Sequence, residues 1–201
     1  MSDIYNLLNE SQRIIGGLSA EYIDKMMHPI PEIEVVSREQ FILGRAKGKV
    51  VLDVGCTGKL SEAIGKVAKE YHGIDFVDPS NVYCSNYYNL NLDKIDNPPY
   101  IQGLELVIAS EIVEHLSNAG HFMDLLRQYS CPVILTVPNA HSAAGHNYIK
   151  HGIECVNGEH VAYYSYHTLK ILVERHGFSI TEWYWYNGKP GTAEGLIFCL
   201  E

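Results

Sequence analysis

The hydrophobic pattern of the chain changes character at Lys49. Before that point apolar residues recur at helical spacing: "DIYNLLNESQRII" carries them three and four apart, and Ser37 stands before Glu39 and the apolar "QFIL" as a cap stands before a helix. Pro29 and Pro31 of "HPIPEIE" separate these helical stretches. After Lys49 short apolar runs alternate with amphipathic ones. "VVLDV" is continuous and β-branched, as suits a strand covered on both faces, and "LSEAIGKVAKE" behind it is amphipathic. "YHGID", "LELVIAS", "PVILTV", "FSITEWYWY" and "GLIFCL" read as further strands, with "GHFMDLLRQY" and "HTLKILVERHG" as helices among them and Gly177 as the stop of the latter. Such alternation predicts a doubly wound α/β sheet with right-handed crossovers and helices on both faces. Only "NGKPGTAEG" joins the last two strands, which makes that pair antiparallel. The expected organisation is one domain over residues 1–201, with a helical cover in 1–46 and the sheet core in 47–201.

Charge narrows the partners. Fifteen Lys and Arg against 24 Asp and Glu give a formal net charge of −9, which opposes binding along a phosphate backbone. No apolar run approaches the roughly 20 residues of a membrane span, and the N-terminus lacks a basic region followed by an apolar one. The five cysteines are scattered and form no CxxC pair, so neither a disulfide framework nor a thiolate zinc site is indicated. A soluble cytoplasmic protein acting on a small molecule is expected, with neither nucleic acid nor membrane as partner; the pattern carries no signal for oligomeric state.

In open α/β sheets ligands bind beyond the carboxyl ends of the strands, where the strand order switches. Asp53, Gly55 and Gly58 fall at the first such turn, and Asp75 ends the next strand 22 positions after Asp53. Gly55 lets the backbone approach a ligand, and an acid at the second strand end can accept hydrogen bonds from ribose hydroxyls. Nicotinamide dehydrogenases share that arrangement, so it is charge that separates the alternatives. A pyrophosphate is repelled by nearby carboxylates, whereas S-adenosylmethionine (SAM) carries an ammonium and a sulfonium that Asp53 and Glu111 favour.

Five segments, "VVLDVGCTG", "GIDF", "LELVIASEIVEHL", "VILTVPNAHS" and "EHVAYYSYHTLKILVERHGF", resemble the successive motifs of class I SAM-dependent methyltransferases. The resemblance runs from about Lys49 to Phe178, and "ASEIVEHL" followed by "VPN" is its most specific part. It implies a Rossmann-like seven-stranded sheet with a reversed last strand. Carried over, Asp53 and Gly55, with Cys56 and Thr57 of the same turn, frame the methionine end of SAM. Asp75 holds the ribose, Phe76 lies against adenine, Asn89 or Asn91 stands at the adenine edge, and Ser110 and Glu111 close the site from the fourth motif strand. Relatives read D-x-G-x-G-x-G, whereas Thr57 and Lys59 occupy the second and third glycine positions here, so the turn is expected to run differently.

"SEIVEHL" places Glu111, Glu114 and His115 at i, i+3 and i+4, on one face if a helix starts at the strand end. With His160 of "GEHVAYYS" they compose a two-carboxylate, two-histidine candidate site for a divalent cation. Similar E-x-x-E-H motifs occur in metal-dependent 2′-O-methyltransferases of small RNAs and in ubiquinone-pathway O-methyltransferases. The alternative is that these side chains position the cofactor or stabilise a helix start, leaving His115 or His160 as general base. "HSAAGHNYIKHGIECVNGEH", with His141, His146, His151 and His160, is long for a connection and reads as a substrate-covering insertion or a surface excursion. "WYWY", Trp183 to Tyr186, reads as sheet packing. The expected function is SAM-dependent methylation of a small-molecule hydroxyl. The alternatives are a non-catalytic SAM-binding or partner-binding module and a metal-dependent RNA 2′-O-methyltransferase, with a nicotinamide oxidoreductase ranked below them.

Overall fold

The computed structural model describes residues 28, 30, 33–77, 84 and 86–201. Contacts divide the chain into Met1–Pro31 and Glu32–Glu201. The helix expected in "DIYNLLNESQRII" lies outside the described residues.

In the second unit the elements run β1 (Val35–Val36), α1 (Arg38–Ala46), β2 (Val50–Val54), α2 (Gly58–Val67), β3 (Glu70–Asp75), β4 (Asn86–Asn89) and β5 (Leu106–Ser110). A 3-10 turn at Val113–His115 follows, then α3 (Ala119–Arg127), β6 (Val133–Pro138), α4 (Ala143–Ile149), α5 (Tyr166–Arg175), β7 (Ile180–Tyr186) and β8 (Gly195–Leu200). The strands form one sheet in the order β1-β7-β8-β6-β5-β2-β3-β4. β8 lies antiparallel between β6 and β7, as the short connection before it requires, and every other pairing is parallel. The sheet has eight strands, not seven, because Val35 and Val36 pair with Trp185 and Tyr186 at the β7 edge. β4, "NYYN", has no apolar alternation to announce it; it pairs with β3 over His72–Asp75.

Central strands are buried on both sides. Leu52 and Val54 of β2 join one apolar layer with Phe122, Met123 and Leu169, while Val51 joins a second layer with Ile42, Ala46 and Ile64. This is the consequence of period-two side chains between two helical layers. Local caps fix where the helices start. Ser37 accepts from the Gln40 amide at the head of α1, and Ser165 and Thr168 form a capping box at α5. Gly177, at φ 79°, follows the end of α5. Trp183, Trp185 and Tyr186 are buried in the sheet, and Trp183 packs on Tyr166 and Phe198.

The strand order reverses between β2 and β5, so the carboxyl ends of β2, β3 and β5 surround a natural crevice.

Candidate active site

Two clefts open near these strand ends. The first, of about 400 Å³, is lined by Gly55, Thr57, Asp75, Phe76, Asn91 and Glu111. Gly55 sits at φ 83° and its amide donates to Ile74 O at 2.8 Å, tying the turn to β3. A Cβ there would meet Ile112 Cδ1 at 3.1 Å, so both backbone and space demand glycine. Gly58, at φ 84°, makes the second left-handed step and opens α2, which is how the turn runs with Thr57 and Lys59 in place of glycines. Asp75 Oδ1 accepts from the Phe76 and Val77 amides at 2.7 and 3.3 Å, and the Phe76 ring beside it is 69% exposed.

Four residues assigned to this cleft from the sequence do not line it. Asp53 is buried, and its Oδ2 accepts from Ser61 Oγ and Tyr71 OH, both at 2.7 Å. Burial pushes its carboxyl up to about 6, held back by those two hydrogen bonds. Cys56 is buried against Gly73, Asn89 Nδ2 donates to Val77 O at 3.0 Å, and Ser110 Oγ lies 2.9 Å from Thr136 Oγ1. Two acids line the cleft without having been assigned to cofactor binding, Asp93 and Glu159, and they join Asp75 and Glu111, which were. Asp93 was legible as an Asx-type turn in "NLD", since its amide donates to Asn91 Oδ1 at 2.9 Å. Among the described residues, no Lys or Arg lines the cleft.

Glu111 breaks the expected helix. It sits at φ 55°, a left-handed conformation for a non-glycine residue, and helical turns resume only at Val113. Its carboxylate is held from three sides: Thr136 Oγ1 donates to Oε1 at 2.8 Å, Tyr186 OH to Oε2 at 2.9 Å, and Arg38 Nη1 lies 3.2 Å from Oε1. Glu111 is therefore separated from the face shared by Glu114 and His115.

The other three candidate ligands converge. Among the described residues, Glu114, His115 and His160 each offer a donor atom, all within 4.8 Å of one another. Backbone bonds bring His160 in, because the Val161 and Ala162 amides donate to Glu114 O at 2.9 and 3.3 Å. The Glu114 side chain is 1% exposed, and neither oxygen has a hydrogen-bond partner. Burial, reinforced by the Glu111 charge, pushes its carboxyl up to about 8. Burial and then the His115 neighbour lower the His160 pKa, so its imidazole is neutral at pH 7 and keeps a lone pair. An unpartnered buried carboxylate facing two imidazoles is a donor set that suits a divalent cation.

The raised Glu114 pKa has a measurable effect on the metal-free protein. A carboxyl whose folded value lies above its ordinary 4.5 contributes stability that is complete below that value and is lost as pH rises toward about 8. The expected slope within this window is about 1.4 kcal/mol per pH unit from this group. Chemical denaturation at several pH values with chelator present should show the decline, and Glu114→Gln should remove it.

The second cleft, of about 370 Å³, lies on the other side of the cluster: Glu114 and His160 line it, whereas His115 lines the first. Most of its remaining wall comes from the segment after β6, including α4 and the loop to Tyr164, with Pro138 of β6 and Glu194 before β8 completing it. The histidine-rich insertion thus forms this wall, with His141 and His146 in it.

A family model described as "Methyltransferase domain" matches residues 33–182. No curated protein matches the sequence. Among solved structures, the small RNA methyltransferase HEN1 is similar with a TM-score of 0.65 at 14% identity, over 87% of this chain and 27% of that one. This chain therefore spans about a quarter of that protein. A SAM-dependent methyltransferase from Archaeoglobus fulgidus has a TM-score of 0.57 at 17% identity, over 81% of this chain and 94% of that one. The magnesium protoporphyrin IX methyltransferase from Synechocystis, solved with S-adenosylhomocysteine (SAH), has a TM-score of 0.56 at 14% identity, over 81% of this chain and 80% of that one.

Proposed function

This chain belongs to the methyltransferase-domain family, a SAM-dependent class I group, and from that premise we propose that it methylates a hydroxyl of a small molecule with the help of a divalent cation. The observation that carries the reading is the Glu114, His115 and His160 cluster, whose members line both clefts. The first cleft fits SAM. Asp75, Asp93, Glu111 and Glu159 line it without a described Lys or Arg, which suits a cationic ligand and repels a pyrophosphate. Gly55, Asp75, Phe76 and Asn91 would hold SAM, which supplies a methyl group on a positively charged sulfonium. Glu114, His115 and His160 would hold the cation, which supplies Lewis acidity toward the acceptor oxygen.

The chain's own part is alignment. An acceptor in the second cleft forms the bond from its hydroxyl oxygen to the methyl carbon as the carbon–sulfur bond breaks with its electron pair on sulfur, and its proton passes to water; only with no cation held does the neutral His160 imidazole keep the lone pair that would take that proton. His115, on the other side of the cluster, orients the reacting atoms. All five cysteines are free thiols, which suits a reducing cytosol, and among the described residues no helix is long and apolar enough to cross a membrane. We read the whole chain, 1–201, as one methyltransferase domain.

The test is calorimetric titration with SAH and with NAD. SAH heat with none from NAD supports the assignment, and the reverse overturns it. Asp75→Ala is expected to weaken SAH binding by about 1.5–3 kcal/mol, the range for lost hydrogen bonds to a charged group. Unchanged affinity would move the ribose site elsewhere.

The likeness to a small RNA methyltransferase favours a second reading, an RNA hydroxyl as acceptor. With a net charge of −9 an RNA acceptor is disfavoured. Label transfer to short RNAs whose binding falls about a thousand-fold between roughly 50 and 200 mM salt would establish it against the small-molecule reading.

A further inference from the structure

We propose that the second cleft is the acceptor site and that it takes an uncharged polyhydroxylated ring, a hexoside; the inference rests on the methyltransferase reading above. Three glutamates line this cleft, Glu114, Glu154 and Glu194, with no Lys or Arg among its described lining residues. Glu114 is the independent mark of a ligand site, since its side chain is 1% exposed and neither oxygen accepts a hydrogen bond, with His160 Nε2 standing 3.9 Å from Oε1. The other two acids are oriented by neighbours. Tyr163 OH donates to Glu154 Oε1 at 2.8 Å, and Asn187 Nδ2 donates to Glu194 Oε2 at 2.9 Å, which leaves the second oxygen of each without a protein donor among the bonds formed.

Flat surfaces accompany these acids. His141 and His146 stack with centroids 5.7 Å apart and planes 9° from parallel. Tyr163 and Ile149, also in the lining, are 51% and 58% exposed. Exposed rings beside oriented carboxylates demand a ligand that is polar at its edge and apolar on its face.

Other ligand classes meet only part of this wall. A phosphate or carboxylate would face Glu154 and Glu194 with no Lys or Arg in the described wall, the cation held at Glu114 being its one counter-charge. A wholly apolar molecule would strip water from Glu154, Glu194 and the imidazoles and offer no hydrogen bond in return. A small ammonium would satisfy carboxylates but cover none of the flat surface. A pyranose ring does both: its hydroxyls donate to carboxylates and imidazoles, and its C–H face packs on Tyr163, Ile149 or the histidine pair. Glu154 and Glu194 then hold hydroxyls away from the reacting one, which lies at the Glu114 and His160 end of the cleft. The stoichiometry is that of the proposed reaction: acceptor and SAM give the methyl ether, SAH and one proton.

The experiment uses the full chain saturated with SAH and follows ligands by saturation-transfer NMR. The probes are methyl glucoside, methyl mannoside, methyl galactoside and methyl rhamnoside, against glucose phosphate, ethanolamine and butylphenol. At least one glycoside is expected to bind about ten-fold or more tightly than each of the other three. Glu154→Gln and Tyr163→Ala, both at exposed positions, are each expected to weaken that glycoside about five-fold or more while SAH affinity and the melting temperature stay as in the parent. Tighter binding of the phosphate, the amine or the phenol overturns the inference, as does SAH binding with no glycoside binding at all. Failure to bind SAH overturns the methyltransferase reading itself.

Discussion

Glu114→Ala and His160→Ala are each expected to lower kcat/KM by about 10²–10⁴-fold, the range for removing a positioned general base or its metal support. In activation free energy this is roughly 3–5.5 kcal/mol. For Glu114 the effect on stability runs the other way. Its carboxylate is buried without a hydrogen bond, so removing it relieves a desolvation cost and raises the stability of the metal-free protein above pH 7. Activity that falls while the melting temperature rises cannot come from unfolding. A chelator should reduce the parent's activity to near that of Glu114→Ala and have little further effect on the variant. Parent activity indifferent to both chelator and His160→Ala would place the proton acceptor outside this cluster and sink the metal reading.

Gly195→Ala is expected to destabilise the fold by about 3–5 kcal/mol although it adds one methyl group. Gly195 pairs with Tyr186 across β8 and β7, and a Cβ at Gly195 would fall inside the Tyr186 ring. The tyrosine cannot yield cheaply. It is buried, Arg38 lies over its ring at 5.1 Å, and its hydroxyl donates to Glu111. Overpacking costs about 1–3 kcal/mol, and losing a hydrogen bond to a charged group about 1.5–3 kcal/mol more. Glu111, freed at φ 55°, would lose the donor that holds Oε2 at the edge of the first cleft. Urea denaturation of Gly195→Ala, Tyr186→Ala and the double variant supplies the check. The double variant should be little worse than Tyr186→Ala alone, because the methyl then enters vacated space. Simple additivity would show that ring and methyl do not compete.

A wide part of this architecture was legible along the chain because its signals are local. Strand runs buried on both faces, amphipathic helices, the Ser37 cap and the short link before β8 each depend on residues within about ten positions of one another. β4 escaped because "NYYN" is only partly buried and lacks alternation, and β1 because two residues carry no period. Gly55, Thr57, Asp75, Phe76, Asn91 and Glu111 fall in the first cleft because strand ends in such a sheet converge there whatever the loops do.

By itself, then, the sequence determined the order of the elements, the reversed last strand and the turn where a cofactor approaches. It did not determine which way each polar side chain points. Asp53 turned inward because Tyr71 and Ser61, from β3 and α2, supply buried hydroxyls to its carboxylate. Glu111 left the cluster because Arg38, Thr136 and Tyr186, from three other elements, hold it at a left-handed backbone angle. His160 joined Glu114 and His115 through backbone bonds spanning more than 40 residues. Hydrogen bonds and burial act through space, so partners distant in the chain decide which of several plausible acids and histidines become a site.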